Sequence, residues 1–550
     1  MLPNPAQSSR RSLFDVLLWV ALSVSILLRF VNINHRELWY DEVLSLLLST
    51  GQKMQYVGPP DQAVALSQYS TLLHLPSLSF PLMLERLIRG LQGGEPHPPL
   101  FFLMHHLWLH GFGAGEIALR SLPLLWSLGA IGVAYGFGRS IFGHRVGLMF
   151  CTLLAANPFY LFHSLNVRMY TPLVFWAILS AWALMEVSHR DSDRLWLREG
   201  WLWQGCLIGS VAGGMLTFYL FAYWLVVLGA LALWVDRKQA VYHAVRIGAG
   251  VAMTLPWMLW GTIKQLRNAD IGRFSNAPTV ISPLFQHLQD ALQTLGIHLV
   301  LGDWFSSVPG LTAPLCGLVA LFLIAALGSR LWRYERHSFG IAAIMGLLPI
   351  VLALLVDSLT GKYTLGFGSG RTLMIMLPGC LLLITIALAG WKWKGQIAMA
   401  LLLFGYLAID VGDFSLRPRQ VFHQIAQVIQ ASPKTPTLIV LNSQAWGHVN
   451  RLAYYISPEA QVSLLAQPAP KLAESFGPIV EKTYSQYGRV LVLESQTPLW
   501  SPLTTPEQRQ QIAMSLASHF KLTAQKSLSG TMDLDRFELA VYESNDRPSP

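Results

Sequence analysis

Leu13-Phe-Asp-Val-Leu-Leu-Trp-Val-Ala-Leu-Ser-Val-Ser-Ile-Leu-Leu-Arg-Phe-Val31 decides how the chain is read. As a helix it is long enough to cross a hydrocarbon layer of about 30 Å. The residues leading into it, Ser8-Ser9-Arg10-Arg11-Ser12-Leu13-Phe14, superficially resemble a twin-arginine export signal. The apolar run nevertheless continues into Arg29-Phe30-Val31-Asn32 with no small-residue cleavage site. It reads as a retained first helix anchored inside by Arg10 and Arg11.

Similar windows recur near 118–138, 144–162, 171–189, 200–216, 218–235, 243–262, 309–330, 339–357, 372–390 and 395–412, eleven in all. One long tilted helix over 200–235 would replace two of them. Composition agrees: of 550 residues, 53% are hydrophobic and 13% charged, against roughly 25% charged in an ordinary globular protein. Such a chain cannot cover a water-facing surface, which excludes a cytosolic enzyme, a disordered scaffold and a fibrous repeat. The expected fold class is a polytopic α-helical membrane protein with a small C-terminal α/β domain.

The net charge of +9 suggests nucleic acid until the positions are read. Arg139 and Arg145; Arg190, Arg194 and Arg198; Arg237 and Lys238; Arg330, Arg333 and Arg336; and Lys392 and Lys394 all fall in alternate short loops. With the N-terminus inside, every inner loop is basic, as the positive-inside rule requires. An odd number of spans then places the C-terminal domain outside. The expectation is a multi-pass inner-membrane protein with a cytoplasmic N-terminus, an extracytoplasmic C-terminal domain and no nucleic-acid partner. Cys151, Cys206, Cys316 and Cys380 lie inside apolar runs without paired spacing, so neither a disulfide framework nor a zinc site is expected.

Residues 32–117 and 263–308 are too long for simple outer connectors. Within the first, Pro81–Arg89 has helical apolar spacing and His97–His110 is strongly apolar, which suits helices in the membrane interface. The division expected is a membrane domain over 1–412, its outer loop 32–117 carrying an acidic motif, and a soluble domain over 413–550. In the latter, Arg419–Ala431 and Ala445–Ile456 read as helices and Thr437–Asn442 as a strand. Arg489–Glu494 and Phe537–Tyr542 read as further strands, with a helix near Pro506–Ser518 between them.

No phosphate-cradling Gly-rich loop ending in Lys-Ser or Lys-Thr, no Cys pair and no His-Glu-x-x-His is present. The informative groups lie at the membrane boundary. Asp41-Glu42 follows Trp39-Tyr40 beside an apolar helix, where desolvation raises a carboxylate's basicity; a dipole-favoured pair at a helix N-terminus fits equally well. His163-Ser-Leu-Asn-Val-Arg168-Met-Tyr170 places an arginine at the outer end of the 144–162 window, where a snorkelling side chain is also natural. Lys362-Tyr-Thr-Leu-Gly-Phe-Gly-Ser-Gly-Arg371 joins flexible backbone to two cations that suit a phosphate, or a lipid headgroup. His105, His106 and His110 lack a third ligand at matching spacing and are expected to pack rather than bind metal.

Taken in order, Leu38-Trp-Tyr-Asp41-Glu42, Glu95-Pro-His97-Pro98-Pro99-Leu-Phe-Phe and Ala118-Leu-Arg120-Ser-Leu-Pro resemble the bacterial GT-C glycosyltransferases. That group includes relatives of protein O-mannosyltransferases and of the lipid A aminoarabinose transferase. Gly138-Arg-Ser-Ile-Phe-Gly-His-Arg-Val-Gly, Asn157-Pro-Phe, Ser164-Leu-Asn-Val-Arg168-Met-Tyr170 and Arg371-Thr-Leu-Met-Ile-Met-Leu-Pro378 continue the resemblance, which covers most of residues 13–412. It implies transfer of a sugar from a polyprenyl-phosphate carrier to a lipid, glycan or protein acceptor at the outer face. By the same resemblance Asp41 is the catalytic acidic residue, suited to act as the base, and Glu42 supports it. His97, Asn166, Arg168, Tyr170, Lys362 and Arg371 are the substrate-binding candidates.

Two positions depart from the family pattern. Asn166 stands where the family has a glutamate, which implies a different acceptor, metal-free action or reduced activity. Thr372 stands where a tyrosine is usual. The chemistry expected needs no cofactor, with a divalent metal left open. A lipid or glycan transporter, and a degenerate scaffold without catalysis, are the competing readings.

Overall fold

The structure is a computed structural model that describes residues 13–189, 198–268, 283–417, 419–530 and 533–545. Arg10, Arg11, Arg190 and Arg194, part of the second long outer loop, and the last five residues lie outside the described residues. Contacts divide the chain into two compact units. One comprises residues up to 32, 94–101 and 121–416; the other comprises 33–93, 102–120 and everything from 417 onward.

The first unit is helical, and helix runs through all eleven apolar windows. Six helices among the described residues are long and apolar enough to cross a membrane. They are Leu13–Val31, Glu116–Phe142, Tyr170–Ser188, Thr312–Tyr334, Phe367–Ala389 and the helix beginning at Lys392. Two bent pairs, His144–Ala156 with Pro158–Ser164 and Arg336–Gly346 with Leu348–Thr360, raise the number to eight if each is one span. The first bend, 65°, has a local cause. Pro158 has no amide hydrogen to continue the ladder, and the Asn157 side chain accepts a hydrogen bond from the Tyr160 amide at 2.9 Å, capping the new helix. In the first long loop, helices are found at Phe80–Gln92 and Leu100–Phe112, where interfacial ones were expected. The four cysteines are free and lie within helices.

The second unit carries a six-stranded sheet with β1 (Val64–Ala65), β2 (Thr437–Leu441), β3 (Val462–Ala466), β4 (Arg489–Ser495), β5 (Phe520–Ser529) and β6 (Arg536–Ser544), in the spatial order β1-β3-β2-β4-β6-β5. β2 pairs in parallel with β3 and β4, while β6 and β5 extend the sheet antiparallel. Helices Ala469–Thr483 and Pro506–Ala517 cover one face, where Leu438, Val440, Leu465, Phe476, Val490 and Leu516 form the core. β1 comes from the first long loop and pairs antiparallel with β3 through Val64 and Ala65. Residues 33–93 and 102–120 therefore belong to the same unit as the α/β sheet. The Tyr40–Ser49 helix repeats the arrangement, lying on the Trp446–Tyr455 helix.

Candidate functional site

Asp41 and Glu42 belong to the second unit, in the first turn of Tyr40–Ser49. Adjacent in sequence, they differ sharply in surroundings. Glu42 is 1% exposed. One of its oxygens accepts from the Trp39 amide at 3.0 Å, closing the helix start on itself. Arg120 then grips both oxygens, Nε to Oε1 at 3.1 Å and Nη2 to Oε2 at 3.0 Å. The same guanidinium donates to the carbonyls of Ile33 at 3.1 Å, Arg36, and Glu37 at 2.9 Å. Glu42 is thus a fully engaged carboxylate, and Arg120 fixes the turn that delivers the acidic motif. Asp41 is half-buried at the same helix start.

A second buried ion network holds the segment from its other side. Glu37 accepts from Arg451 at 3.1 Å and from the Phe422 amide at 2.8 Å, and Arg451 also pairs with Asp535 at 2.5 Å. All three ionic side chains are completely shielded from solvent. Tyr40 lies so close to the Trp446–Tyr455 helix that a Cβ on Gly447 would sit 2.5 Å from its ring. Its ring meets His448 edge-on at 5.4 Å between centroids.

Tyr454 and Tyr455 are engaged internally. Tyr454 donates to the Ala114 carbonyl at 2.7 Å, and Tyr455 donates to the Glu116 carboxylate. Trp446 packs 5.9 Å from Tyr56, with Lys53 over its ring. Burial pushes His105 down to about 3. His106 meets the Ser49 carbonyl at 2.6 Å and the His110 ring at 4.7 Å. Among the described residues no group of three His, Cys, Asp or Glu side chains could hold a metal ion.

The other six candidates lie in the first unit. Three of them join one row of rings. His97 stacks on Phe218 at 5.6 Å, Phe218 meets Tyr170 at 6.5 Å, and Tyr170 meets His163 at 4.8 Å. The Asn166 amide completes the row, 3.2 Å from His163 Nδ1. His97 is held at its carbonyl by Gln265 at 2.9 Å, and its ring pairs with Glu95. Arg168 follows in the turn after Pro158–Ser164 and is 6% exposed.

Lys362 and Arg371 share the loop that joins Leu348–Thr360 to Leu377–Ala389. Gly361 ends the first helix in a left-handed conformation. Asp357 then ties the loop down, accepting from Thr364 Oγ1 at 2.6 Å and from the Leu365 amide at 2.9 Å. Gly368, Ser369 and Gly370 turn left-handed in succession, φ 57°, 64° and 74°. The Pro283–Gly296 helix presses in from the side: a Cβ on Gly366 would lie 2.7 Å from the Asp290 carboxyl carbon, and one on Gly370 2.6 Å from Thr294 Oγ1. Thr372, where the family has tyrosine, bonds back to the Thr364 carbonyl at 2.9 Å.

Sequence reading gave no role to Glu37, Arg120, Arg451 or Asp535. Arg120 stood inside a quoted motif, and its signal was a charge in an otherwise apolar run. Arg451 gave the same signal in Val449-Asn-Arg-Leu-Ala-Tyr-Tyr455.

Residues 96–260 match the sequence profile of the family described as dolichyl-phosphate-mannose-protein mannosyltransferase. No curated protein matches the chain in sequence. Among solved structures, ArnT from Cupriavidus metallidurans bound to undecaprenyl phosphate is similar with a TM-score of 0.56 and 12% identity, covering 97% of this chain and 99% of that one. The oligosaccharyltransferase AglB from Archaeoglobus fulgidus, in complex with an inhibitory peptide and a dolichol-phosphate, is similar with a TM-score of 0.50 and 12% identity, covering 87% of this chain and 69% of that one. The chain shares its fold with these two solved proteins, and its residues 96–260 carry the sequence pattern of the family described as dolichyl-phosphate-mannose-protein mannosyltransferase.

Proposed function

We propose that this multi-pass membrane protein is a glycosyltransferase that moves a sugar from a polyprenyl-phosphate carrier to a hydroxyl-bearing lipid, glycan or protein acceptor at the outer face of the inner membrane. The observation that carries the reading is the unequal treatment of two adjacent acids on this fold. Glu42 is consumed by Arg120 and its own helix start, while Asp41 beside it is half-buried in the same turn. A carboxylate placed this way is suited to take a proton.

In the proposed step the acceptor oxygen attacks the anomeric carbon as the bond from that carbon to the phosphate oxygen breaks. The bonding pair leaves on the polyprenyl phosphate, and the acceptor's proton passes to Asp41. Single displacement inverts the anomeric centre. A lipid phosphate leaves as an anion, so positive charge serves it where a glycosidase needs an acid. Lys362, Arg371 and Arg168 are the cations proposed for that task, with His97, Asn166 and Tyr170 lining the substrate surface. The mechanism calls for no metal. The orientation proposed has eleven spans, the N-terminus inside and the α/β unit outside.

The test uses full-length protein in nanodiscs, radiolabelled polyprenyl-phosphate sugars, and total membrane extract as the acceptor pool, with and without EDTA. Asp41→Asn is expected to abolish transfer while expression and carrier binding stay close to wild type. Retained turnover would refute Asp41 as the base, and EDTA sensitivity would refute the metal-free step. A transporter reading draws on the broken helix at Asn157-Pro158 and the buried charge of Arg29. Carrier movement across liposomes without sugar transfer would favour it.

A further inference from the structure

Arg29 is completely buried in the first apolar helix, a position where an unpaired charge is costly. Its partners explain why it is there. Nη1 donates to the Ala155 carbonyl at 2.8 Å and to the Ser25 carbonyl at 2.9 Å, and Nε donates to Ser127 Oγ at 3.2 Å. The guanidinium carbon lies 5.7 Å from the centre of the Tyr160 ring, and the carboxylate of Asp410, itself 2% exposed, acts on its charge. Tyr160 in turn donates to the Ser127 carbonyl at 3.4 Å.

These contacts converge on the 65° bend between His144–Ala156 and Pro158–Ser164. In a continuous helix the Ala155 carbonyl would accept from residue 159. The break takes that partner away, and away from water the orphaned carbonyl needs another donor. Arg29 supplies it. Asn157 secures the far side, capping Tyr160 and donating to the His298 carbonyl at 2.9 Å. The short helix that starts here carries His163 at its end and leads directly to Asn166, Arg168 and Tyr170.

We propose that Arg29 is a positioning residue: by holding the freed Ala155 carbonyl it sets the angle of Pro158–Ser164 and so the placement of the His163–Tyr170 segment. Asp410 balances the charge that this device requires. The structural claim stands by itself, and its kinetic consequence rests on the glycosyl-transfer reading.

Hydrogen exchange on full-length protein in nanodiscs tests the structural claim without needing activity. Three variants are compared: Arg29→Lys, Arg29→Met, and the double variant Arg29→Met/Asp410→Asn, which removes both buried charges. The double variant guards against simple misfolding, since it leaves no carboxylate uncompensated. Amides of 157–169 are expected to exchange about tenfold or more faster in the double variant, while the Tyr170–Ser188 helix keeps wild-type protection. Arg29→Lys keeps the charge but not the fork, and falls between. Where wild type turns over, the double variant loses about tenfold or more in kcat/KM, because small misplacements of binding groups are amplified in rate. Wild-type exchange over 157–169 in both Arg29→Lys and the double variant would overturn the proposal, whatever the activity. Loosened exchange in the variants, with a wild type that transfers no sugar, would leave the positioning role of Arg29 in place and remove only the transfer reading.

Discussion

Replacing Arg120 by methionine is the sharpest test of how the acidic motif is held. The substitution keeps much of the side-chain volume and removes five donated hydrogen bonds: two to Glu42 and one each to the carbonyls of Ile33, Arg36 and Glu37. Glu42 then remains buried without its guanidinium, still accepting from the Trp39 amide. Breaking a buried ion pair by removing one partner costs about 3–5 kcal/mol, because the surviving charge is left uncompensated. In a domain of roughly 150–250 residues each kcal/mol moves the unfolding midpoint by about 2–4 °C, so the expected drop is about 6–20 °C. Scanning fluorimetry of full-length protein in nanodiscs, at a fixed scan rate, reads it. Adding Glu42→Gln on top of Arg120→Met removes the stranded charge and should recover a substantial part of the loss, giving a coupling energy well above 1 kcal/mol in the double-mutant cycle. A shift under about 2 °C for Arg120→Met, or additive single and double variants, would show that the pair does not hold the motif.

Three further outcomes follow from the same contacts. Gly370→Ala forces a Cβ to 2.6 Å from Thr294 Oγ1 at a backbone φ of 74°, so it should cost about 1–3 kcal/mol, and Gly366→Ala should likewise disturb Asp290; transfer should fall in both, and wild-type stability with wild-type carrier affinity would count against the loop assignment. His448 is fully buried, and burial, followed by the charge of Arg451, pushes it from 6.5 down to about 4. At this site the unfolded chain therefore binds more protons between those values, so the contribution of His448 to stability is flat above pH 6.5 and falls by up to about 1.4 kcal/mol per pH unit on descending to pH 4; His448→Asn should make the slope over that range shallower, and an unchanged slope would move the cause elsewhere. Glu37→Gln weakens its bonds to Arg451 and the Phe422 amide, and should cost about 3 kcal/mol with Asp41 untouched; a stability loss under 1 kcal/mol would show that the second network is dispensable.

The membrane helices were legible because a nonpolar solvent imposes a length and a composition on every crossing, and those survive in one dimension. The strands β2, β4 and β6 and the helix Trp446–Tyr455 were legible for a related reason: each keeps a compact apolar pattern between turn residues. β5 was not, since Lys521–Ser527 along an edge strand are all exposed and, apart from Leu522 and Ala524, polar. β1 was not, because two residues, Val64 and Ala65, become a strand only when Leu464 and Ser463 of β3 are alongside them. Attachment of the first loop to the α/β unit depends on partners over four hundred positions apart, such as Glu37 with Arg451. A charge inside an apolar run marks that something must meet it; sequence alone does not say what.

The same limit explains why the resemblance could assign Asp41 the catalytic role and Glu42 a supporting one without showing what holds Glu42. Both sit in the first turn of one helix and both are favoured there by the helix dipole. What separates them is one residue of helical rotation, about 100° at 3.6 residues per turn. That rotation turns Glu42 inward to Arg120 and back to the Trp39 amide, and its longer side chain reaches both. An aspartate at 42 would be one methylene short of satisfying Arg120 and the helix start together. On the proposed reading the acidic pair is ordered, with the longer acid at the structural position and the shorter at the position proposed to take the proton. Placing Asp at 42 should cost stability first, and placing Asn at 41 should cost transfer first.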